Sequence, residues 1–402
     1  MSNNINIRAI TFSIDIMKIH EISYQHEVAK NIKKVSENLN KNYLVRTLRI
    51  NIVKIKPDQI RDEVFLIEKI ILLSKFCKSI NIRWFNLCFD LTNSNKKQSI
   101  SLTNLTIKII KKFYNVFVNW IVANQNYVNQ ISAYYASKCI LGISKLSSNG
   151  YDNFRFGVNL NPNSGTPFFP FSYSKKDFSF SLALELTEFV DSIVSNNSNY
   201  DLDFIGKECV KALNDKISSL DSNLSGINLN NLSFEGYDCS LAPYPDSKVS
   251  VAKIYKHLKI DEFGSYGSVY LTSFLTSIIK NLNSEFKFCG FNGVMFSLLE
   301  DHDMCKSNNK KLISIDQILL NSCVCGCGLD MIPIPGDSLE EEVASIILDT
   351  ATLSIKLNKP LGVRLLPIPN KHENDFTEFD MDFITNTRIL PLKNLAIDYE
   401  FF

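Results

Sequence analysis

Apolar and polar positions alternate with a period of two along residues 5–14, which predicts a strand. The period lengthens to that of a helix over residues 21–42, where Val28, Ile32 and Val35 fall on one face. Residues 44–55 return to a strand pattern that Pro57 breaks. Residues 59–78 read as an amphipathic helix carrying Ile60, Val64, Ile67, Ile70 and Ile71, and residues 82–89 as a further strand. Two long helical stretches follow, residues 102–122 and 128–146, closed by the turn signal Asn149-Gly150. Strand and helix thus alternate as in an α/β protein.

Beyond Gly150 the strand candidates shorten and loops with Pro and Asn lengthen, as expected where loops carry function. Clear helical patterns recur at residues 203–220 and 269–281, and residues 195–199 read as a polar loop. No charge block, Gly/Ser linker or internal repeat separates folding units. One α/β domain over residues 1–402 is expected, with an N-terminal part at 1–149 and a motif-rich part at 150–402.

Residues 329–334 suit a short buried strand, Pro335-Gly336-Asp337 a tight loop, and Ser338 with Glu341 a capping box that opens a helix. Leu339, Val343, Ile346, Ile347, Thr350, Leu353 and Leu357 share a face of that helix, Pro360 stops it, and Leu361, Val363 and Leu365 alternate with Arg364 in a strand. A helix start after a Gly-containing loop suits an anion, yet Asp337, Glu340, Glu341 and Glu342 already supply the negative charge such a terminus prefers. Arg364, on the opposite strand face, needs a carboxylate or a ligand if it is buried. Both readings of it are open, an ion pair or a cationic anchor.

The 402 residues are 45% hydrophobic and 21% charged, ample for a large core. Lys and Arg number 43 against 42 Asp and Glu, and a net charge of +1 lacks the basic excess of a dedicated nucleic-acid binder. A neutral partner or small ligand fits better. The greasiest stretches are interrupted well before the roughly 20 residues a membrane span needs. Ten cysteines are too sparse for a disulfide scaffold, and no signal-like leader opens the sequence, so reduced thiols and a cytoplasmic location are expected. The abundance of Asn, Lys, Ile and Ser reads as a bias of the source genome.

In Cys323-Val324-Cys325-Gly326-Cys327-Gly328, alternate thiols share a face if the backbone is extended, but the spacing lacks the Cys-x-x-Cys pairs typical of zinc. The five histidines form no metal signature; Asp301-His302-Asp303 is the one acidic cluster centred on a histidine. No metal site is assigned, and any cofactor is left open.

The words Cys325-Gly326-Cys327-Gly328-Leu329-Asp330, Ile332-Pro333-Ile334-Pro335-Gly336-Asp337 and Lys359-Pro360-Leu361-Gly362-Val363-Arg364 resemble a known family. So do Gly165-Thr166-Pro167-Phe168-Phe169-Pro170, Ser240-Leu241-Ala242-Pro243-Tyr244-Pro245-Asp246, Phe263-Gly264-Ser265-Tyr266-Gly267 and Leu298-Leu299-Glu300-Asp301. The chain resembles the Domain of Unknown Function 711 family, whose members are uncharacterised. That resemblance implies a ten-stranded α/β barrel like that of pyruvate formate-lyase and anaerobic ribonucleotide reductase, with Cys325 on a loop comparable to their cysteine loop. Residues 388–402 contain no Gly and no Arg-Val-x-Gly-Tyr radical motif, so glycyl-radical chemistry is not expected.

Loops with Pro, Gly and a few polar groups suit a small-molecule site at a barrel mouth. Candidate catalytic groups are Cys325, Asp330, Glu185 and Asp238; candidate substrate-binding groups are Arg155, Arg364, Asp301, Gly336 and Asp337. Asp238 and Asp246 read equally as turn formers, and Glu185 sits on the polar face of a strand. Two functions compete. One is a cytosolic enzyme acting on a small polar or anionic metabolite by acid/base or thiol chemistry; the other is a non-catalytic ligand-binding or assembly protein on the same barrel. A homo-oligomer suits either.

Overall fold

The computed structural model describes residues 5–229, 231–244 and 249–393. Its first half repeats a strand and a crossover helix: β1 (Asn6–Ile14), α1 (Ile22–Leu39), β2 (Leu48–Ile52), α2 (Glu63–Ser79), β3 (Trp84–Asp90), α3 (Lys96–Lys112), β4 (Val116–Ala123), α4 (Gln130–Ser144) and β5 (Phe156–Leu160). These five strands are parallel neighbours in chain order. The second half is more helical: β6 (Ser179–Glu185), α5 (Thr187–Asn196), α6 (Leu202–Ser225), β7 (Ser233–Asp238), α7 (Val251–His257), α8 (Ser268–Lys280), α9 (His302–Asn309), α10 (Ile315–Ser322), β8 (Gly328–Pro335), α11 (Glu340–Lys356) and β9 (Leu361–Ile368).

The nine strands form one mixed sheet in the order β7-β6-β1-β2-β3-β4-β5-β9-β8. β6 runs antiparallel to β1 and β9 antiparallel to β5, while β7 follows β6 and β8 follows β9 in parallel. The two outermost strands, β7 and β8, do not pair with each other. Residues 287–297 approach both. Tyr237 N–H donates to Lys287 O at 2.8 Å and Leu241 N–H to Gly293 O at 2.9 Å, while Gly326 N–H donates to Val294 O at 2.8 Å and Ser297 bridges Asp330.

Alternation along the strands gives the sheet two unlike faces. On one, Phe85, Leu87 and Phe89 of β3, Val116, Val118 and Trp120 of β4 and Phe156 and Val158 of β5 are fully or almost fully buried in the main core. On the other face stand Asn51, Asn86, Asn119 and Asn159, one on each of β2 to β5, all buried. Asn86 Nδ2 donates to Asn51 Oδ1 at 2.9 Å and Asn159 Nδ2 to Asn119 Oδ1 at 3.0 Å. Asn51 donates to the Ser13 hydroxyl at 3.3 Å, and the other three hold the backbone of residues 170–172, which lies against this face. Asn119 donates to Pro170 O at 2.7 Å, Asn86 to Ser172 O at 3.0 Å and Asn159 to Phe171 O at 3.1 Å; Thr11 adds a bond to Pro167 O at 2.9 Å. These four asparagines are structural, not an incidental bias of composition.

The loop fits because the sheet beneath it is thin. A Cβ on Gly157 would lie 2.8 Å from the Phe171 ring, and one on Gly362 2.5 Å from it. Any side chain at those positions of β5 and β9 would displace Phe171.

Three sequence expectations change. Residues 102–122 are not one helix: the helix ends at Lys112 and Val116–Ala123 is a strand. Val-Phe-Val-Asn-Trp-Ile-Val is buried on both faces, so it reads as a continuous apolar run in which strand and helix look alike. The helix after β8 has Leu339 as its N-cap, one residue beyond Ser338. Glu342 accepts the Leu339 N–H at 2.8 Å, and the Ser338 hydroxyl donates back to Pro335 O at 2.6 Å. Leu339 and Leu357, expected on the apolar face of this helix, are exposed at its two ends.

Asn119→Leu removes the donor to Pro170 O and the acceptor for Asn159. Each buried group left unpaired costs about 1–3 kcal/mol, so urea denaturation should show a loss of at least that size.

Candidate functional site

The amino-terminal ends of β1 to β4 do not carry apolar residues alone. Arg8 lies near the start of β1, Arg46, Thr47 and Arg49 at the start of β2, Arg83 and Trp84 at the start of β3, and Phe117 near the start of β4. They line a cavity of about 440 Å³. Phe168, Phe169 and Phe171 of the buried loop form another wall, and Ser297, Glu300, Asp330 and Arg364 come from the second half of the chain. Five guanidinium groups therefore meet one space bounded largely by rings.

Each arginine rests on an aromatic ring. Arg8 is 5.7 Å from the Phe168 and Tyr244 centroids, Arg46 4.3 Å from Tyr244, Arg49 5.1 Å from Phe169, Arg83 4.3 Å from Trp84 and Arg364 5.3 Å from Phe154. Such contacts fix a guanidinium without neutralising it. The anionic partners are unequally shared. Arg364, buried, makes a bidentate pair with Asp330 at 2.6 and 2.9 Å, and lies 3.7 Å from Glu300. Arg46 pairs with Glu185, whose other oxygen accepts from Asn6 at 3.1 Å. Among the described residues, none of Arg8, Arg49 and Arg83 has a carboxylate within ion-pair distance. Arg8 donates to Pro243 O at 2.5 Å, and Arg49 Nε donates to the Thr47 hydroxyl at 3.1 Å.

Burial, with the nearby charges of Arg8 and Arg364, pushes the Arg49 pKa down to about 9. It stays a cation at neutral pH, held at an electrostatic cost that an anion would relieve. Burial works against the Arg364 charge too, but Asp330 and Glu300 outweigh it and raise its pKa. Burial also raises the Asp330 pKa above the usual carboxylate value, against the pull of Arg364. Glu300 is less committed: it lines the cavity, and Ser297 donates to one of its oxygens at 2.7 Å.

A family model described as "Uncharacterised ACR (DUF711)" matches residues 1–382. The chain belongs to the DUF711 family. It is 30% identical over 230 residues to a UPF0210 protein of Pyrobaculum aerophilum, covering 55% of this chain and 51% of that protein. It is 33% identical over 144 residues to one from Acetivibrio thermocellus, covering 35% and 32%. A Methanococcus aeolicus UPF0210 protein is 31% identical over 151 residues, covering 37% and 33%. The matched stretches thus span about a third to a half of these relatives' own length.

In this DUF711 chain the cavity gathers only part of the residues proposed from sequence. Asp330 and Arg364 line it, and Glu185 acts at its rim through Arg46. Asp238 and Asp301 are buried elsewhere as backbone clamps. Asp238 accepts from Ser240 N at 3.0 Å and Phe291 N at 2.9 Å, which ties β7 to the 287–297 segment. Asp301 accepts from Met304 N at 3.1 Å and Val251 N at 2.7 Å, joining the starts of α9 and α7. Burial raises the pKa of both. Arg155 is spent on Phe113 O at 2.6 Å and Ile110 O at 2.9 Å, the end of α3, and on Asp152. Gly336 donates to Lys371 O at 3.0 Å, and Asp337 is exposed, 3.1 Å from His372.

Cys325 is buried in the main core and is not a lining residue; Cys327 joins Phe168, Phe171 and Met295 in a small apolar cluster beside the cavity, where burial holds its thiol well above the ordinary range. Cys323 is the one partly exposed member of the trio, so the three thiols have different surroundings. Asp303 is taken by Lys256 and Lys306, each at 3.2 Å. No group of three or more His, Cys, Asp or Glu able to hold a metal occurs among the described residues. Asp246 lies outside them.

Sequence reading missed Arg8, Arg46, Arg49, Arg83 and Glu300. The last stands beside Asp301 in the word Leu298-Leu299-Glu300-Asp301, and a one-residue step moves a side chain from helix cap to cavity wall. The arginines carry a signal that is visible afterwards: cations at the first positions of successive strands.

Arg364→Leu leaves Asp330 buried without its partner, and loss of one member of a buried pair costs about 3–5 kcal/mol. Chemical denaturation should show that loss, with Asp330→Leu/Arg364→Leu recovering most of it.

Proposed function

We propose that the protein binds a small organic anion in the arginine-lined cavity and acts on it by proton transfer through Glu300. The observation that carries this reading is the pair Arg8 and Arg49, two guanidiniums in one cavity with no carboxylate partner among the described residues. Charge held this way is costly unless a ligand completes it. Rings form much of the cavity wall, and the apolar surroundings they provide strengthen whatever charged contact a ligand makes.

Glu300 supplies the acid/base group of this reading because it faces the cavity, is steadied by Ser297, and is not locked into a bidentate pair as Asp330 is. Arg364 acts as a positioning residue: it fixes Asp330 and sits 3.7 Å from Glu300. The thiol route loses its support, since Cys325 does not line the cavity.

The fold belongs to the same reading. Two blocks of parallel strands, β1 to β5 and β6-β7 with β8-β9, run in opposite directions, and residues 287–297 make backbone bonds to both outer strands. We read that segment as a tenth strand closing a barrel of the pyruvate formate-lyase type around the cavity. A cytoplasmic setting accords with ten free cysteines and with no helix among the described residues long and apolar enough to cross a membrane.

The test is to incubate the protein with a cellular metabolite extract and to follow retained and consumed species by mass spectrometry. The wild type should retain and deplete an anionic metabolite. Arg8→Gln and Arg49→Gln should each weaken retention about tenfold or more, since a hydrogen bond to a charged group contributes about 1.5–3 kcal/mol. Glu300→Gln should keep retention and lower depletion about 10²–10⁴-fold. Retention without depletion by the wild type would make this a binding protein, and no retained anion would remove the reading.

A further inference from the structure

Resting on that reading, we infer that the anion is a phosphate monoester in its doubly charged form. The cavity's own charges set the count. Five guanidiniums face it against three carboxylates, Asp330 and Glu300 on Arg364 and Glu185 on Arg46. Two positive charges are left over. A carboxylate or sulfate ester would neutralise one; a phosphoryl dianion neutralises both.

Three of the five, Arg8, Arg49 and Arg83, have no carboxylate within ion-pair distance among the described residues, and the placement of Arg8 and Arg49 points the same way. Arg8 and Arg49 arise from adjacent parallel strands and are tied through one side chain. The Thr47 hydroxyl donates to Arg8 O at 2.9 Å and accepts from Arg49 Nε at 3.1 Å. A guanidinium carries five N–H donors, so most of those on Arg8 and all but Nε–H on Arg49 have no partner among the described residues. Their faces rest on Phe168 and Phe169, which leaves the N–H edges for a ligand. Two such forks lining one cavity are better matched by three oxygens than by the two of a carboxylate. A phosphoryl group offers three, with bidentate geometry at each fork. The 440 Å³ cavity leaves room for an organic substituent beside it.

Titration calorimetry at pH 7.5 with phenyl phosphate, phenyl sulfate and phthalate separates the alternatives. The phosphate is mostly a dianion at this pH and the sulfate, of nearly equal shape, a monoanion. Phenyl phosphate should bind about tenfold or more tightly than phenyl sulfate. That preference should collapse in Arg8→Gln and Arg49→Gln, and partly survive in Arg49→Lys, with melting temperatures confirming that the variants fold. Equal affinity for phosphate and sulfate would overturn the dianion inference while leaving the anion site standing. Tighter binding of phthalate would replace it with a dicarboxylate. Failure of all three to bind at millimolar concentration would remove the inference and the underlying reading together.

Discussion

The cavity depends on four asparagines that never touch it. A sheet face buried by helices is satisfied with aliphatic side chains, but a face that must hold a strand-free stretch of backbone has to supply donors for its carbonyls. Asn86, Asn119 and Asn159 do this on successive parallel strands, bonding to the carbonyls of Pro170, Phe171 and Ser172, while Asn51 accepts from Asn86 and Asn119 accepts from Asn159. A bare apolar face would leave those carbonyls unpaired, at a cost that hydrophobic burial could not offset locally. With the loop fixed, Phe168, Phe169 and Phe171 become cavity walls, and Arg8, Arg49 and Arg364 find the rings they rest on.

Charge in the cavity is arranged on two levels. Arg364 and Asp330 form a closed pair whose components satisfy each other, which holds β8 to β9 and fixes the charge nearest Glu300. Arg8 and Arg49 are open: they are oriented by backbone, hydroxyl and ring contacts that leave their charge unanswered. A closed pair alone reads as structure. Open cations beside it, in a cavity of about 440 Å³, are what the proposed anion site rests on.

The periodicity of the chain was enough for the α/β class and for most elements of the first half, because strands such as β1 and β3 alternate and α1 and α2 are amphipathic. It misread β4, whose outward Val118 and Trp120 and inward Phe117 and Ile121 are all apolar, so no alternation is visible. The resemblance carried by short words identified the family and brought Asp330 into view, while the strand alternation after Pro360 had already marked Arg364. It could not separate Glu300 from Asp301, since adjacent residues at a helix start point in different directions. Nor could it reveal the arginines or the asparagine ladder. Each of these residues is unremarkable in its own segment and acquires meaning only when parallel register sets strands side by side, as in the pairing of Asn51 with Asn86.

Whether Arg8 and Arg49 together form an open anion site in the cavity can be tested directly. The most direct measurement is a crystal structure of the protein soaked in selenate, with the anion located by its anomalous scattering. A peak is expected inside the cavity within hydrogen-bond distance of both guanidinium groups, lost in crystals of Arg49→Gln. Selenate bound only at the outer surface, or a cavity filled by side chains that turn Arg8 and Arg49 onto carboxylates, would contradict it.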